Sequence, residues 1–413
     1  MVTEAVQNEG SSAAGLVLGA CGNPVAQRPH GWYTHHSIGC ILDRLATRVA
    51  AIRYFAARAP DAAAETCDYL LSAPNVTVHA WSGRRNTLSA VRRPLRLVRE
   101  YRQMADACDA LFFRGSAPLI WTAHWMARSR RLPVVHWIVG NPVAILRAQP
   151  RGYGKVMDTL GIGFAKLEQL LLRLSLRASG AFALVNGEEL ARVFPSSRTI
   201  PVVSTSIAED DFLVREDTCR GAEIRLLFVG FIRPEKGLVY LLRALPMIRC
   251  DRTVGLTIVG SWGQFPSEYR RLKTLADALG IADRITWEGY VAYGPELFAR
   301  MDRSDILVLP SLSEGTPRVL VEARARCLPL IATAAGGIPS SVTHDVDGLL
   351  VPPADAAALA EAVSRLVRDE ALRRRMIIAG RKRVAGWTVD RFVDLIVGLL
   401  TARGSRSCAP AGV

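Results

Sequence analysis

The 413 residues contain no uninterrupted apolar run of about 18 residues, so no transmembrane helix is expected. Cysteine is sparse and scattered: none of the eight forms a C-x-x-C pair, and no Cys/His cluster has zinc-ligand spacing. That excludes a disulfide framework and a structural zinc site, and leaves isolated thiols in a reducing compartment as the expectation. Met1 to Gly10 carries Glu4 and Glu9 but no Lys or Arg. A secretory signal needs a positive leading segment, so Leu18-Gly19-Ala20-Cys21 is read as a buried strand running into a loop rather than a lipoprotein cleavage box. Residues 1–12 are expected to be a disordered tail. No internal repeat or low-complexity block is present, so no solenoid or array is indicated.

What is present is a chain that is half hydrophobic and 22% charged, long enough for two or three domains. Net charge is +14 and unevenly spread. Residues 1–200 hold 24 basic and 13 acidic side chains, whereas the remainder holds 28 and 25. The positive field belongs to the first half and suits nucleic acid, an anionic membrane surface or a phosphate-bearing substrate.

Short apolar runs alternate with amphipathic stretches, the signature of βαβ units. In the first half the pattern predicts strands over 15–19, 110–113, 132–139 and 181–185, with helices over 37–51 and 164–178. The second half predicts strands over 224–231, 255–259, 285–288, 306–309 and 330–333. Helices are expected there over 237–248, 267–279, 295–301, 319–326, 354–369 and 371–384. Nearly all-apolar strands belong to parallel sheets covered on both faces. The fold class is therefore α/β, with two doubly wound, Rossmann-like domains facing across a cleft. The expected boundaries are 13–200, a linker over 201–220, 221–385, and a C-terminal helix over 386–403 that crosses back to the first domain.

Three motifs carry chemistry. A strand ends at Gly230 and a helix starts near Gly237, with Arg233 and Lys236 between them. Two cations at such a turn suit a diphosphate, although exposed loop cations are often merely solvated. Next, Pro310 to Ala323 places Glu314 in a loop and Glu322 eight residues on, inside a helix that Pro317 can open. Carboxylates accept from paired hydroxyls, so the pair suits sugars and riboses, and the amides of Gly315, Thr316 and Arg318 suit an anionic or hydroxyl-rich ligand. Favourable placement of a Glu near a helix start accounts for Glu314 as well. Finally, Gly336-Gly337 after a buried strand permits close backbone approach, and Asp347-Gly348 is a turn.

Together these segments resemble the C-terminal domain of the retaining family 4 glycosyltransferases (glycosyl transferases group 1), which have the GT-B fold of two Rossmann-like domains. The matching pieces are the V-G-x-x-x-P-E-K-G turn at 229–237, the E-G-x-P segment running to Glu322, and the G-G-I-P and D-G-L-L-V-P-P segments. The resemblance implies a nucleotide-diphosphate sugar as donor, with catalytic roles for Glu314, Lys236 and Arg233. Lys236 is implied to contact the diphosphate and Glu322 the ribose. Glu314 with Gly315, Thr316, Pro317 and Arg318 is implied to hold the sugar, and Val319 is a further donor-binding candidate. Gly230, Gly260, Gly289 and Val291 match loops that line the nucleotide. Phe231 stands where the family commonly has Arg, and Ser340 where it often has Glu; Arg233 is the replacement candidate for the first.

On the acceptor side the match is weaker, and the candidates are Gly22, His35, His136 and Asn141. His136 sits inside an expected strand, where a satisfied core histidine and an acceptor contact are both open. His30 and His36, beside Trp32-Tyr33, are comparable contacts. No D-x-D motif precedes the donor site, so no metal and no other cofactor is expected. The partners implied are the nucleotide sugar and a glycan or lipid-linked acceptor. The basic segment 84–102, with Leu95, Leu97, Val98 and Tyr101 interleaved, fits peripheral contact with an anionic membrane or a solvated basic helix. The chain is expected to be cytoplasmic, on the inner face of the membrane. The leading function is retaining glycosyl transfer in cell-surface, exopolysaccharide or lipid-linked glycan assembly. Glycosylation of a soluble metabolite is the alternative. Nucleic-acid binding ranks low, because no reading module is present.

Overall fold

The computed structural model describes residues 13–59, 66–81, 94–148, 155–263 and 265–402. The expected tail and the first half of the basic segment, residues 82–93, lie outside them. The chain divides into two compact units, Met1–Val202 with Val389–Val413, and Val203–Thr388. Each is an α/β unit on a parallel sheet.

The first unit contains β1 (Val17–Cys21), β2 (Val25–Arg28), β3 (Gly31–Thr34), β4 (Ala51–Ala57), β5 (Tyr69–Leu70), β6 (Val76–Trp81), β7 (Ala110–Arg114), β8 (Val134–Ile138), β9 (Phe182–Asn186) and β10 (Thr199–Val202). Its helices are α1 (His36–Ala46), α2 (Pro94–Asp106), α3 (Ile120–Arg130), α4 (Pro142–Ala148), α5 (Lys155–Ser179) and α6 (Glu188–Val193). The main sheet runs β10-β9-β8-β7-β1-β4-β6. Chain order reverses between β1 and β7, and at such a switch point ligands meet the carboxyl ends of the strands. The β2-β3 hairpin and β5 form a small separate antiparallel sheet.

Pattern and structure part company around residue 47. The helix expected over 37–51 stops at Ala46, and β4 begins at Ala51. The segment Ala-Ile-Arg-Tyr-Phe-Ala-Ala carries good helix formers, but it pairs in parallel with β1 on one side and β6 on the other. A strand bonded on both edges is decided by its neighbours, which outweighs propensity. The last helix, Val389–Thr401, packs on α1 within this unit. Arg44 pairs with Asp390 at 2.9 Å, Arg48 pairs with Asp394 at 3.1 Å, and Phe392 meets the Trp137 ring at 5.0 Å.

The interior of this unit holds a histidine pair. His136 on β8 and His124 on α3 are both 0% exposed, and their Nδ1 and Nε2 atoms lie 2.9 Å apart. His136 Nε2 is 2.9 Å from the Gly115 carbonyl, which only accepts, so Nε2 carries the proton. His136 Nδ1 therefore accepts from the His124 Nε2–H, and His124 Nδ1 is left facing the Ser179 hydroxyl at 3.4 Å. Burial, reinforced by the neighbouring His136, holds His124 well below the usual histidine range. The folded state thus binds fewer protons than the unfolded one. The stabilisation is present above about pH 6.5 and is lost as pH falls, by up to about 1.4 kcal/mol per pH unit for one proton. Thermal melts of the wild type should drop between about pH 6.5 and 5 more steeply than those of His124→Gln. Parallel slopes would show that His124 does not take up a proton on unfolding.

The second unit contains β11 (Glu223–Val229), β12 (Thr253–Val259), β13 (Ile285–Gly289), β14 (Ile306–Leu309), β15 (Leu330–Thr333) and β16 (Leu349–Val351). Its helices are α7 (Leu238–Ala244), α8 (Pro266–Ala278), α9 (Pro295–Arg303), α10 (Val319–Ala325), α11 (Ile338–Ser341), α12 (Ala356–Arg368) and α13 (Glu370–Val384). The sheet runs β13-β12-β11-β14-β15-β16, all parallel, with its switch point between β11 and β14. The α7 helix is shorter than expected because Pro246 turns its end into a 3₁₀ segment. The seven described cysteines are free thiols, six of them buried. Among the described residues no helix is long and apolar enough to cross a membrane.

Candidate active site

The two motif loops of the second unit leave β11 and β14, the strands that flank its switch point. They meet because a glycine lets them. Gly237 has φ +67°, and a Cβ there would overlap the Pro310 carbonyl. The Leu312 amide donates to the Glu235 carbonyl at 2.8 Å and locks the loops together. This docking delivers Lys236, from the turn Pro234–Lys236, to Glu314: Nζ and Oε1 form an ion pair. The Ser311 hydroxyl donates to the same Oε1 at 2.9 Å. Both charged side chains keep some exposure, 20% for Lys236 and 11% for Glu314.

Gly260 and Gly336 do similar work. A Cβ on Gly260 would overlap the Gly230 carbonyl, and one on Gly336 would overlap the Glu314 carbonyl. The strand-end turns are chained by bonds from Gly230 N to Val259 O at 2.9 Å and from Gly260 N to Gly289 O at 2.7 Å. The Gly337 amide donates to Glu314 O at 3.1 Å. Gly237→Ala should therefore cost about 3 kcal/mol, combining a left-handed residue with a backbone clash. The control Gly263→Ala meets only the Ser261 hydroxyl at 3.6 Å and should change stability by less than about 0.5 kcal/mol. Denaturant midpoints of the two variants check the contrast.

Arg233 lies at the same turn. Its guanidinium carbon is 5.0 Å from the Phe231 ring centre and 5.6 Å from that of Phe265, and the side chain pairs with Glu235 at 3.8 Å. The position where an arginine was expected thus holds one of the rings against which Arg233 rests. Arg318 sits 3.9 Å from Glu322, donates to the Ser206 hydroxyl and lies 5.9 Å from the Tyr293 ring centre. Glu322 on α10 is 6% exposed; burial raises its carboxyl above the usual range, opposed by Arg318. Pro317 and Val319 are buried, Gly315 is exposed, and Val291 packs partly buried on the core. The Thr316 hydroxyl oxygen is buried with no hydrogen-bond partner among the described residues. No group of three His, Cys, Asp or Glu side chains among them is placed to hold a metal ion.

Ser206, Ser311, Phe265 and Tyr293 were not singled out by the sequence. Ser311 lay inside a recognised motif, but Ser206 fell in the expected linker and the two aromatics on separate loops, where no spacing rule connects them.

In the first unit the acceptor-side candidates have internal tasks. His35 caps α1, accepting from the Ser37 amide at 3.2 Å. Asn141 caps α4 through the amides of Val143 at 3.1 Å and Ala144 at 3.3 Å. Gly22 lies against Tyr54, whose hydroxyl donates to the Asn23 carbonyl at 2.7 Å. Of the two readings open for His136 the structure has the core histidine: its ring has no exposed surface, and both nitrogens are engaged within the unit. At this unit's switch point stands Arg114, a residue no motif marked. It stacks on Trp137 at 4.7 Å and donates to Asn23 and, at 2.9 Å, to the Ser37 hydroxyl.

Residues 213–383 match the family described as Glycosyl transferases group 1. Over 304 residues the chain is 29% identical to the D-inositol 3-phosphate glycosyltransferase of Geodermatophilus obscurus, covering 72% of this chain and 64% of that protein. The chain thus spans under two thirds of the length of that relative. Among solved structures, sucrose-phosphate synthase from Thermosynechococcus elongatus superposes with TM-score 0.68 at 20% identity, over 93% of this chain and 98% of that one. Anabaena HepE in complex with UDP gives 0.66 at 17%, over 93% and 97%. WaaG, a glycosyltransferase involved in lipopolysaccharide biosynthesis, gives 0.67 at 14%, over 93% and 100%. The shared fold is GT-B, with two Rossmann-like domains.

Proposed function

We propose, from the match of residues 213–383 to glycosyl transferases group 1, that the protein transfers a sugar from a nucleotide-diphosphate sugar to an acceptor hydroxyl with retention of configuration. The observation that carries this is the meeting of Lys236 and Glu314 at the switch point of the second unit, with Glu322 buried on the following helix. In this reading Glu322 takes the ribose. Gly230, Gly260, Gly289 and Val291 line the nucleotide, and Glu314 with Gly315 to Arg318 holds the sugar. The buried Thr316 hydroxyl, lacking a partner among the described residues, supports a ligand at that loop.

The bond from the anomeric carbon to the diphosphate oxygen breaks and a bond to the acceptor oxygen forms on the same face. The acceptor proton passes to the departing phosphate. Lys236 and Arg233 stabilise the charge that develops on that leaving group, so the chain supplies positioning and charge rather than a general base. The reading needs no metal, in line with the missing D-x-D motif. The domain assignment that goes with it gives the donor to 221–385 and the acceptor to 13–200.

The acceptor is proposed to be a glycan or lipid-linked glycan at the inner face of the cytoplasmic membrane, supported by the positive surplus of the first 200 residues. A soluble phosphorylated polyol is the second reading, favoured by the name of the Geodermatophilus relative and by the cation Arg114 at the first unit's switch point. Thermal shifts against UDP-, GDP-, ADP- and TDP-sugars test the donor half: one nucleotide series should raise the melting temperature, by about 2.7 kcal/mol of stabilisation at a hundredfold excess over Kd. No shift with any donor, with and without EDTA, would sink the reading.

A further inference from the structure

The longest helix of the first unit carries leucine on both faces. On its inner face α5 buries Ala165, Leu172 and Leu176 in the core. On its outer face Leu160, Leu167, Leu170 and Leu174 stand 61%, 51%, 50% and 49% exposed. With the exposed Gly163 and Arg177 they follow an alternating three- and four-residue spacing, one straight seam. From Leu160 to Leu174 the seam is about 21 Å long. It does not stand alone: α5 packs beside α3, which exposes Trp125, and α3 packs beside α2, which exposes Leu95. A soluble helix has no reason to present four leucines to water, and an apolar strip of this length marks an interaction surface.

The charges around the seam select the partner. Exposed Lys166 lies on α5, Arg128 and Arg131 at the end of α3, and Arg96, Arg99 and Arg102 on α2. The acids nearby are fewer than the cations: Glu168 accepts from the Leu119 amide and the Trp121 indole, half-exposed Asp106 pairs with Arg130 and Arg102, and Glu100 stands partly exposed among the α2 arginines. A second copy docked by two-fold symmetry would bring like charges together, and a nucleic acid has no use for the leucines. We infer that the α2-α3-α5 face lies on an anionic lipid leaflet, with the α5 leucine seam entering the acyl boundary and the flanking cations at the headgroups. The inference rests on the reading of a membrane-borne acceptor and says which surface brings the enzyme to it.

The test is co-sedimentation of the full chain with vesicles of phosphatidylglycerol in phosphatidylcholine, and of phosphatidylcholine alone, at low and high salt. The wild type should prefer the anionic vesicles and keep part of its binding at high salt, because apolar insertion is not screened. Leu167→Gln with Leu174→Gln should weaken partitioning at least about tenfold while leaving the melting temperature unchanged. Arg96→Gln with Arg99→Gln should lose mainly the salt-sensitive part. Equal pelleting of the leucine variant and the wild type overturns the inference. So does a wild type that ignores anionic vesicles, or a dimer in light scattering that the leucine variant breaks. Donor hydrolysis is measured in parallel: absent turnover with seam-dependent vesicle binding defeats the transferase reading alone, and intact turnover without vesicle binding defeats the seam alone.

Discussion

Lys236→Ala is expected to lower kcat for sugar transfer on the order of 10²–10³-fold, the scale of losing one preorganised charge at a developing anion. The ammonium is held before any donor arrives, because the Gly237 turn and the Leu312–Glu235 bond fix the loop and Glu314 fixes the side chain. The substitution leaves Glu314 with its Ser311 bond and some solvent exposure, so the fold should lose no more than about 1 kcal/mol. Steady-state kinetics and a melt on the same sample separate the two effects. Glu322→Gln is the companion. It keeps the shape of a buried side chain but removes the charge, so it should raise KM for the nucleotide sugar more than it lowers kcat. Wild-type kinetics from both variants would remove the assignment of these loops to the donor.

The largest stability effect should come from a residue outside any motif. Asp217 accepts both guanidinium bonds of Arg373, Nε and Nη2, each at 2.9 Å, and the two side chains are 2% and 5% exposed. Arg373 also donates to the carbonyls of Leu366 at 2.7 Å and Val367 at 2.9 Å, closing the end of α12. Burial alone would raise the Asp217 carboxyl; the Arg373 hydrogen bonds and charge, the Thr218 amide and the Arg220 charge together outweigh it and hold the carboxyl below the usual range. Asp217→Ala leaves a buried guanidinium without its counter-charge and should cost about 3–5 kcal/mol. The double change Asp217→Leu with Arg373→Met should recover much of that loss. Denaturant unfolding of the single and double variants decides it: an equal loss in both would mean that shape, not charge, governs the site.

These predictions draw on different levels of the chain. Lys236, Glu314 and Glu322 were legible because their motifs are contiguous and end strands whose apolar runs are plain. The hold on Arg233 by Phe265, the Asp217–Arg373 pair and the histidine pair were not legible. Each joins residues that only the sheet order brings together, and no spacing rule reaches across 156 residues, as for Asp217 and Arg373. β4 was missed for the same reason, since its state depends on neighbours rather than on its own alanines.

The sequence by itself determined the fold class, the parallel strands of the second unit and the order of its three motifs, because period, turn residues and local charge are properties of neighbouring residues. The tertiary structure alone decided that Gly237 lets the two loops touch, that Glu322 and His136 are buried, and that the leucines at 160, 167, 170 and 174 face outward. Burial and contact are relations between distant segments. Their energies follow from what lies opposite a side chain, and a linear pattern does not record that.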